Sequence, residues 1–340
     1  MLTLMIWKGR LHFMKKFHLY FFSSLFAVVL LLTACGARFE PVSQNSSSDT
    51  ESPATSEEVR AIQHAMDDTR ITGTPQRIVT LQQEATDALL ALGLKPVGAV
   101  ESWVGDPWYD IWKEDMEGVA VVGSETQPDL EKIAALQPDL ILGSKLRHEK
   151  IYEQLSAIAP TVFTETIGMT WKDNFKQHIR ALNREAEGNA VLEAWERRVA
   201  DFKEKMGDKL STKVSIVRFR GEDVRIYDGY PGSVIREVGL SRPESQQPES
   251  FGDQQVLTVT KEQIPLMDGD IMFVMVSDWS EDKEGSEIQS EWTSEPLWQN
   301  LNVVKNNKVF IVDEVTWNLA GGIGAANRML DDLYKYFNLN

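Results

Sequence analysis

The sequence predicts an α/β protein in which two mostly parallel-sheet lobes are bridged by a single long helix. Short apolar, β-rich runs alternate with helical patterns from Arg77 to Phe163 and again after Val214, the mark of βαβ units. A purely helical stretch, Trp171 to Met206, separates the two regions. Ahead of both lies an export signal rather than a further domain.

That signal is built in a fixed order. Lys15-Lys16 is basic, Phe17 to Leu32 is almost wholly apolar, and Leu32-Thr33-Ala34-Cys35 ends it. A basic start, a short apolar core and small residues before a cut site make a secretory signal. The cysteine at the cut follows the bacterial lipobox pattern, so residues 1–34 are expected to be removed and Cys35 to carry diacylglycerol. The apolar run is short for a membrane span, which needs about twenty residues, and Met14 reads as the natural start. Cys35 is the one cysteine in the chain, so the exported domain must be held by its hydrophobic core and not by disulfides. Residues 35–58, rich in Ser, Thr, Glu and Asn, read as the lipidated cysteine and a flexible tether.

The first lobe is assigned to residues 59–183. Ile78–Leu81, Pro96–Val100, Asp139–Gly143 and Thr161–Phe163 read as buried strands, with helices at Glu84–Leu92, Asp129–Leu136 and Glu149–Ile158 between them. Residues 184–210 read as the connecting helix. Gly188 marks a break, after which Val191, Trp195, Val199, Phe202 and Met206 form one apolar stripe. Residues 211–340 form the second lobe, with strands at Val214–Arg220, Val224–Tyr227, Ile271–Val276 and Val309–Val312 and a last helix from Ala325 to Tyr336.

The formal net charge is −16, and loss of the first 34 residues, with four basic and no acidic side chains, takes it to −20. Such a balance argues against nucleic acid as a partner and makes any cluster of arginines informative. One exists. Along a strand, alternate residues share a face, so Arg218 and Arg220 point the same way, and after the turn at Gly221 so do Arg225 and Tyr227. Three planar guanidiniums and a phenol at the carboxyl end of a strand suit an anionic ligand; the competing reading is a solvated basic edge paired with Glu222 and Asp223. In the first lobe Lys145, Arg147 and His148 follow a strand end and would face the same cleft; the competing reading is loop charge at a helix N-terminus with no ligand. Trp103 and its aromatic neighbours in the segment 103–112 are either core plugs or pocket walls.

Chemistry other than binding finds little purchase. Gly322-Ile323-Gly324 does not directly follow a strand, as a dinucleotide fingerprint would. No Ser/His/Asp arrangement has its expected context, so no catalytic residues are assigned. After loss of the signal only His64, His148 and His178 remain, too few for a histidine-rich metal site, and no metal ligand is assigned.

Several segments together resemble the iron-siderophore solute-binding lipoproteins of Gram-positive ABC importers, nearest the receptors for citrate and hydroxamate siderophores. They are the lipobox, the segments 122–131 and 147–152, Arg218 to Tyr227, Trp317-Asn318-Leu319-Ala320-Gly321-Gly322, and 329–333. The resemblance implies the helical-backbone, class III periplasmic-binding-protein fold, with little hinge closure. It also implies a monomer on the outer face of the cell membrane that passes a ferric siderophore to a permease and its ATPase. Arg147, Arg218, Arg225 and Tyr227 would contact the ligand with Arg220 and Trp317 nearby, Lys145 and Trp103 completing the expected site. Iron would be held only through the chelator, with no cofactor. Asp87 and Glu237 would dock the two lobes on the permease. Relatives for highly carboxylated ligands carry arginines near Ser124-Glu125 and soon after the last tryptophan. This chain has none there before Arg328, which implies a less anionic ligand, such as citrate with two hydroxamate arms. Ferric citrate, a catecholate siderophore, haem and cobalamin stay open within the fold, and a lipid-anchored α/β hydrolase stays open outside it.

Overall fold

The computed structural model describes residues 58–339 except 222, 253 and 280–282. Cys35, the signal and all of the tether but Glu58 lie outside the described residues, as does Glu222.

The first lobe opens on an antiparallel hairpin, β1 (Val59–Gln63) and β2 (Asp68–Thr72). Its sheet is built from β3 (Ile78–Thr80), β4 (Gly98–Ala99) and β5 (Ala120–Val121). A small hairpin of β6 (Gly123–Ser124) and β7 (Gln127–Pro128) follows. The sheet is completed by β8 (Leu140–Ser144) and β9 (Thr161–Thr164), giving the order β5-β4-β3-β8-β9, parallel throughout. Val79, Leu140, Ile141, Leu142, Val162 and Phe163 are all sealed from solvent, as expected where helices cover both faces and the strands become continuous apolar runs.

In the second lobe β10 (Val214–Arg220) pairs antiparallel with β11 (Asp223–Tyr227), which pairs antiparallel with β12 (Val256–Val259). On its other side β10 runs parallel with β13 (Ile271–Ser277), and β13 with β14 (Val309–Ile311). The sheet is therefore half parallel, and the hairpin that carries the arginines lies in its antiparallel half, inside the edge strand β12.

The helix Glu185–Met206 has 22 residues and runs unbroken through Gly188. The expected break is corrected here. Gly188 is buried, and a Cβ on it would lie 2.3 Å from Ile179 Cγ2 of the preceding helix, Trp171–Ala181. The glycine admits a neighbouring helix; it does not end its own. Around this backbone helix one apolar cluster takes in Ala88 and Trp108 of the first lobe, Trp195 and Phe202 of the helix, and Phe273 and Trp317 of the second lobe.

Candidate functional site

In parallel strands the chain leaves the sheet at the carboxyl ends, where loops and helix starts can gather side chains around a cleft. Here β3 delivers Gln82, Gln83 and Glu84, β4 delivers Trp103, β8 delivers Arg147, β13 delivers Trp279, and β14 delivers the turn Asn318–Gly321. With Arg218, Arg220, Arg225 and Tyr227 of the β10–β11 hairpin they line a cleft of about 320 Å³ between the lobes.

The second-lobe wall is a connected network. Register sets Arg218 opposite Arg225 and Arg220 opposite Asp223, which puts two like charges side by side, a destabilising pair unless countered. Asp223 accepts from Arg225 Nε at 3.0 Å. Glu314, buried beyond the end of β14, forms an ion pair with Arg218. Arg218 Nε also donates to Ser277 Oγ at 3.0 Å and Nη1 to Tyr227 Oη at 3.3 Å. Ser277 Oγ in turn donates to Glu314 Oε1 at 2.6 Å, and Trp279 Nε1 donates to Glu314 Oε2 at 2.8 Å. The guanidiniums of Arg218 and Arg220 lie over the Trp279 ring, 5.3 and 5.2 Å from its centroid, within reach of a cation–π attraction.

The first-lobe wall is simpler. Glu125, buried in the β6–β7 turn, accepts from Arg147 Nε at 3.2 Å and from the Gln83 N–H at 3.4 Å. Burial raises its carboxyl above the usual range, and Arg147 opposes that rise. The Glu125 carbonyl accepts from His148 Nε2 at 2.9 Å while the Ser144 N–H donates to Nδ1 at 3.2 Å, so His148 is a neutral packing group, its basicity lowered by burial. Glu84 accepts from the Gly168 N–H at 2.9 Å, and burial pushes its carboxyl up to about 8. It is uncharged at neutral pH. Trp103 meets Trp279 across the mouth, ring centroids 6.4 Å apart and 24° from parallel.

The cleft thus brings together Arg147, Arg218, Arg220, Arg225, Tyr227 and Trp103 of the residues expected there. Three expectations are corrected. Trp317 is fully buried, its ring tilted 40° against Phe273 with centroids 4.5 Å apart and Nε1 donating to Asp332 at 2.8 Å; the neighbouring residues 318–321 reach the cleft instead. Lys145 is not among the lining residues and pairs with Glu165 at 3.0 Å. Asp87 is 3% exposed, its carboxylate accepting from the Gly324 and Ala325 N–H groups at 2.7 and 3.2 Å. It caps the C-terminal helix Ile323–Tyr336 and is not available to a permease. Glu237 is partly exposed and holds Lys172 at 2.7 Å. Sequence reasoning passed over Glu314 and Gln82–Glu84, although each directly follows an apolar strand run and the carboxyl-end rule would have found them.

Among the described residues no group of three or more His, Cys, Asp or Glu side chains is placed to hold a metal ion, and no helix is long and apolar enough to cross a membrane.

The periplasmic binding protein family matches residues 78–316. The chain belongs to that family. It is a solute-binding protein and not an enzyme, with two α/β lobes and a long helix as the family has them. It is 46% identical over 331 residues to the probable siderophore-binding lipoprotein YfiY of Bacillus subtilis, covering 95% of this chain and 99% of that one. It is 38% identical to the achromobactin-binding periplasmic protein of Dickeya dadantii, covering 77% of this chain and 86% of that one. The crystal structure of Staphylococcus aureus SirA complexed with staphyloferrin B superposes with a TM-score of 0.78 at 43% identity, covering 83% of this chain and 99% of that one.

Proposed function

We propose that this protein captures a ferric siderophore outside the cell and delivers it to the permease and ATPase of an ABC importer, held at the membrane by lipid on Cys35. The observation that carries the reading is the convergence of Arg147 from one lobe with Arg218, Arg220, Arg225 and Tyr227 from the other on one cleft. Guanidiniums are suited to the oxygen-rich, anionic surface of a ferric chelate. Relatives named for a siderophore, for achromobactin and for staphyloferrin B support it. Iron is then cargo, carried inside its chelator. A citrate chelator with hydroxamate arms fits the modest number of arginines, and Glu237 is the docking carboxylate retained for the second lobe.

The test is tryptophan fluorescence, reported by Trp103 and Trp279, against ferric complexes of a citrate bis-hydroxamate, dicitrate and a catecholate, with haem alongside. The citrate bis-hydroxamate complex is expected to bind most tightly, and more tightly than its iron-free chelator. A hydrogen bond to a charged group contributes roughly 1.5–3 kcal/mol, and about 1.4 kcal/mol is tenfold in affinity. Arg147→Ala and Arg225→Ala should therefore each weaken binding by roughly ten- to a hundredfold. Binding of both variants at the parent's affinity would place the ligand elsewhere.

A further inference from the structure

Each wall of the cleft contains a buried carboxylate set directly behind an arginine. Glu125 stands behind Arg147 and Glu314 behind Arg218, one in each lobe. Both are under one-tenth exposed. With Asp223 on Arg225, three of the four cleft guanidiniums already have a protein counter-charge among the described residues. Counting the described residues, a cleft that looks strongly cationic from its arginines alone is left with about one positive charge.

We propose that Glu125 and Glu314 are specificity-determining residues: they are built-in counter-anions that tune the cleft to a ferric complex of about one net negative charge and against polyanionic complexes. This rests on the siderophore reading. The chemistry of the cargo bears on it directly. An α-hydroxycarboxylate with two hydroxamate arms brings four negative charges to Fe³⁺ and leaves one, whereas ferric dicitrate retains more. For the low-charge complex the residual field of the cleft is a match. A polyanion meets Glu125 and Glu314 as like charges, and in a partly desolvated cleft such repulsion is screened far less than in water. The same carboxylates keep the guanidinium forks in fixed orientations, since Glu314 also holds Ser277 and Trp279. Removing the charge while keeping the hydrogen-bonding shape separates the two effects.

Glu125→Gln is the cleaner probe, because its amide oxygen can still accept from Arg147 and the Gln83 N–H contact it would lose is already long, at 3.4 Å. Glu314→Gln repeats the test from the other lobe. Dissociation constants for Fe(III) dicitrate and for the Fe(III) complex of a citrate bis-hydroxamate are measured on the purified full-length protein and both variants across a salt series, with thermal melts alongside. The parent should prefer the bis-hydroxamate complex. Either glutamine variant should shift the ratio of the two constants about tenfold towards dicitrate and steepen the salt dependence of dicitrate binding. If one variant melts early, the other carries the comparison. An unchanged ratio and salt slope in well-folded variants would overturn the inference, as would an equal loss of affinity for both complexes, which would mark the carboxylates as props alone. If the parent binds no ferric complex at all, the siderophore reading itself falls and takes this inference with it.

Discussion

A carboxyl and an imidazole, both sealed from water, pull on the stability of this protein in opposite directions as pH changes. Glu84 rises from an ordinary 4.5 to about 8 because burial penalises its charged form. The folded state keeps a proton that the unfolded chain releases, so the contribution of Glu84 falls as pH rises from 4.5 towards 8. Asp87, raised to about 7, acts in the same sense. His178 is fully buried, and neither ring nitrogen has a partner among the described residues. It is lowered from 6.5 to about 4. Here the unfolded chain binds the extra proton, and stability is lost as pH falls from 6.5 to 4. Melting temperatures measured from pH 4 to 9 should show Glu84→Gln flattening the fall between pH 6.5 and 8, where His178 no longer opposes it, and His178→Leu gaining most over the parent below pH 6.5. The leucine variant should also gain about 1 kcal/mol, since an unpaired buried polar group is replaced by an apolar one. A Glu84→Gln profile parallel to the parent above pH 6.5 would contradict the protonated carboxyl. At this scale the sequence was partly legible. The alternation of a strand put Arg218, Arg220, Arg225 and Tyr227 on one wall because their phase is local. Trp317 and its neighbours were not legible, because a π-helical turn, Val315–Leu319, decides which of five successive residues faces the core.

The elements show where local pattern suffices. β10 lies on the bounds its sequence pattern predicted, since a seven-residue run of β-branched and alternating residues has no helical competitor. β5 and β12 escaped notice because they are short and half exposed, and only their neighbours in the sheet make them strands. The break expected at Gly188 was wrong for a related reason. A glycine in a helical pattern looks like a stop until the packing of a second helix against it is known. That packing makes a prediction. Alanine is favoured over glycine within a helix by roughly 1 kcal/mol, so on propensity alone Gly188→Ala would stabilise. Overpacking against Ile179 costs about 1–3 kcal/mol, and the net expectation is a loss. A lowered urea midpoint in Gly188→Ala with unchanged slope is the expected result. A raised midpoint would mean the two helices can part without cost.

For the molecule as a whole, anchoring and coupling between lobes are separate questions. If Cys35 carries the lipid, Cys35→Ala should leave the melting temperature unchanged and release the protein into the medium; a variant that stays with the membrane and is trimmed at the same place would dismiss the anchor. The lobes are joined by more than the backbone helix. Asp87 of the first lobe caps the C-terminal helix from 237 residues away in sequence, a partnership no local pattern could announce. The apolar cluster described above continues through both lobes and the helix between them. An open-and-shut carrier advertises its load by changing outline. With its core continuous behind the cleft and a buried carboxylate fastening one lobe to the last helix, this protein is expected to keep nearly the same outline empty or full. What would differ at the mouth is then the cargo itself, and under the proposed delivery an importer that must ignore empty carriers would have to feel for the iron complex directly.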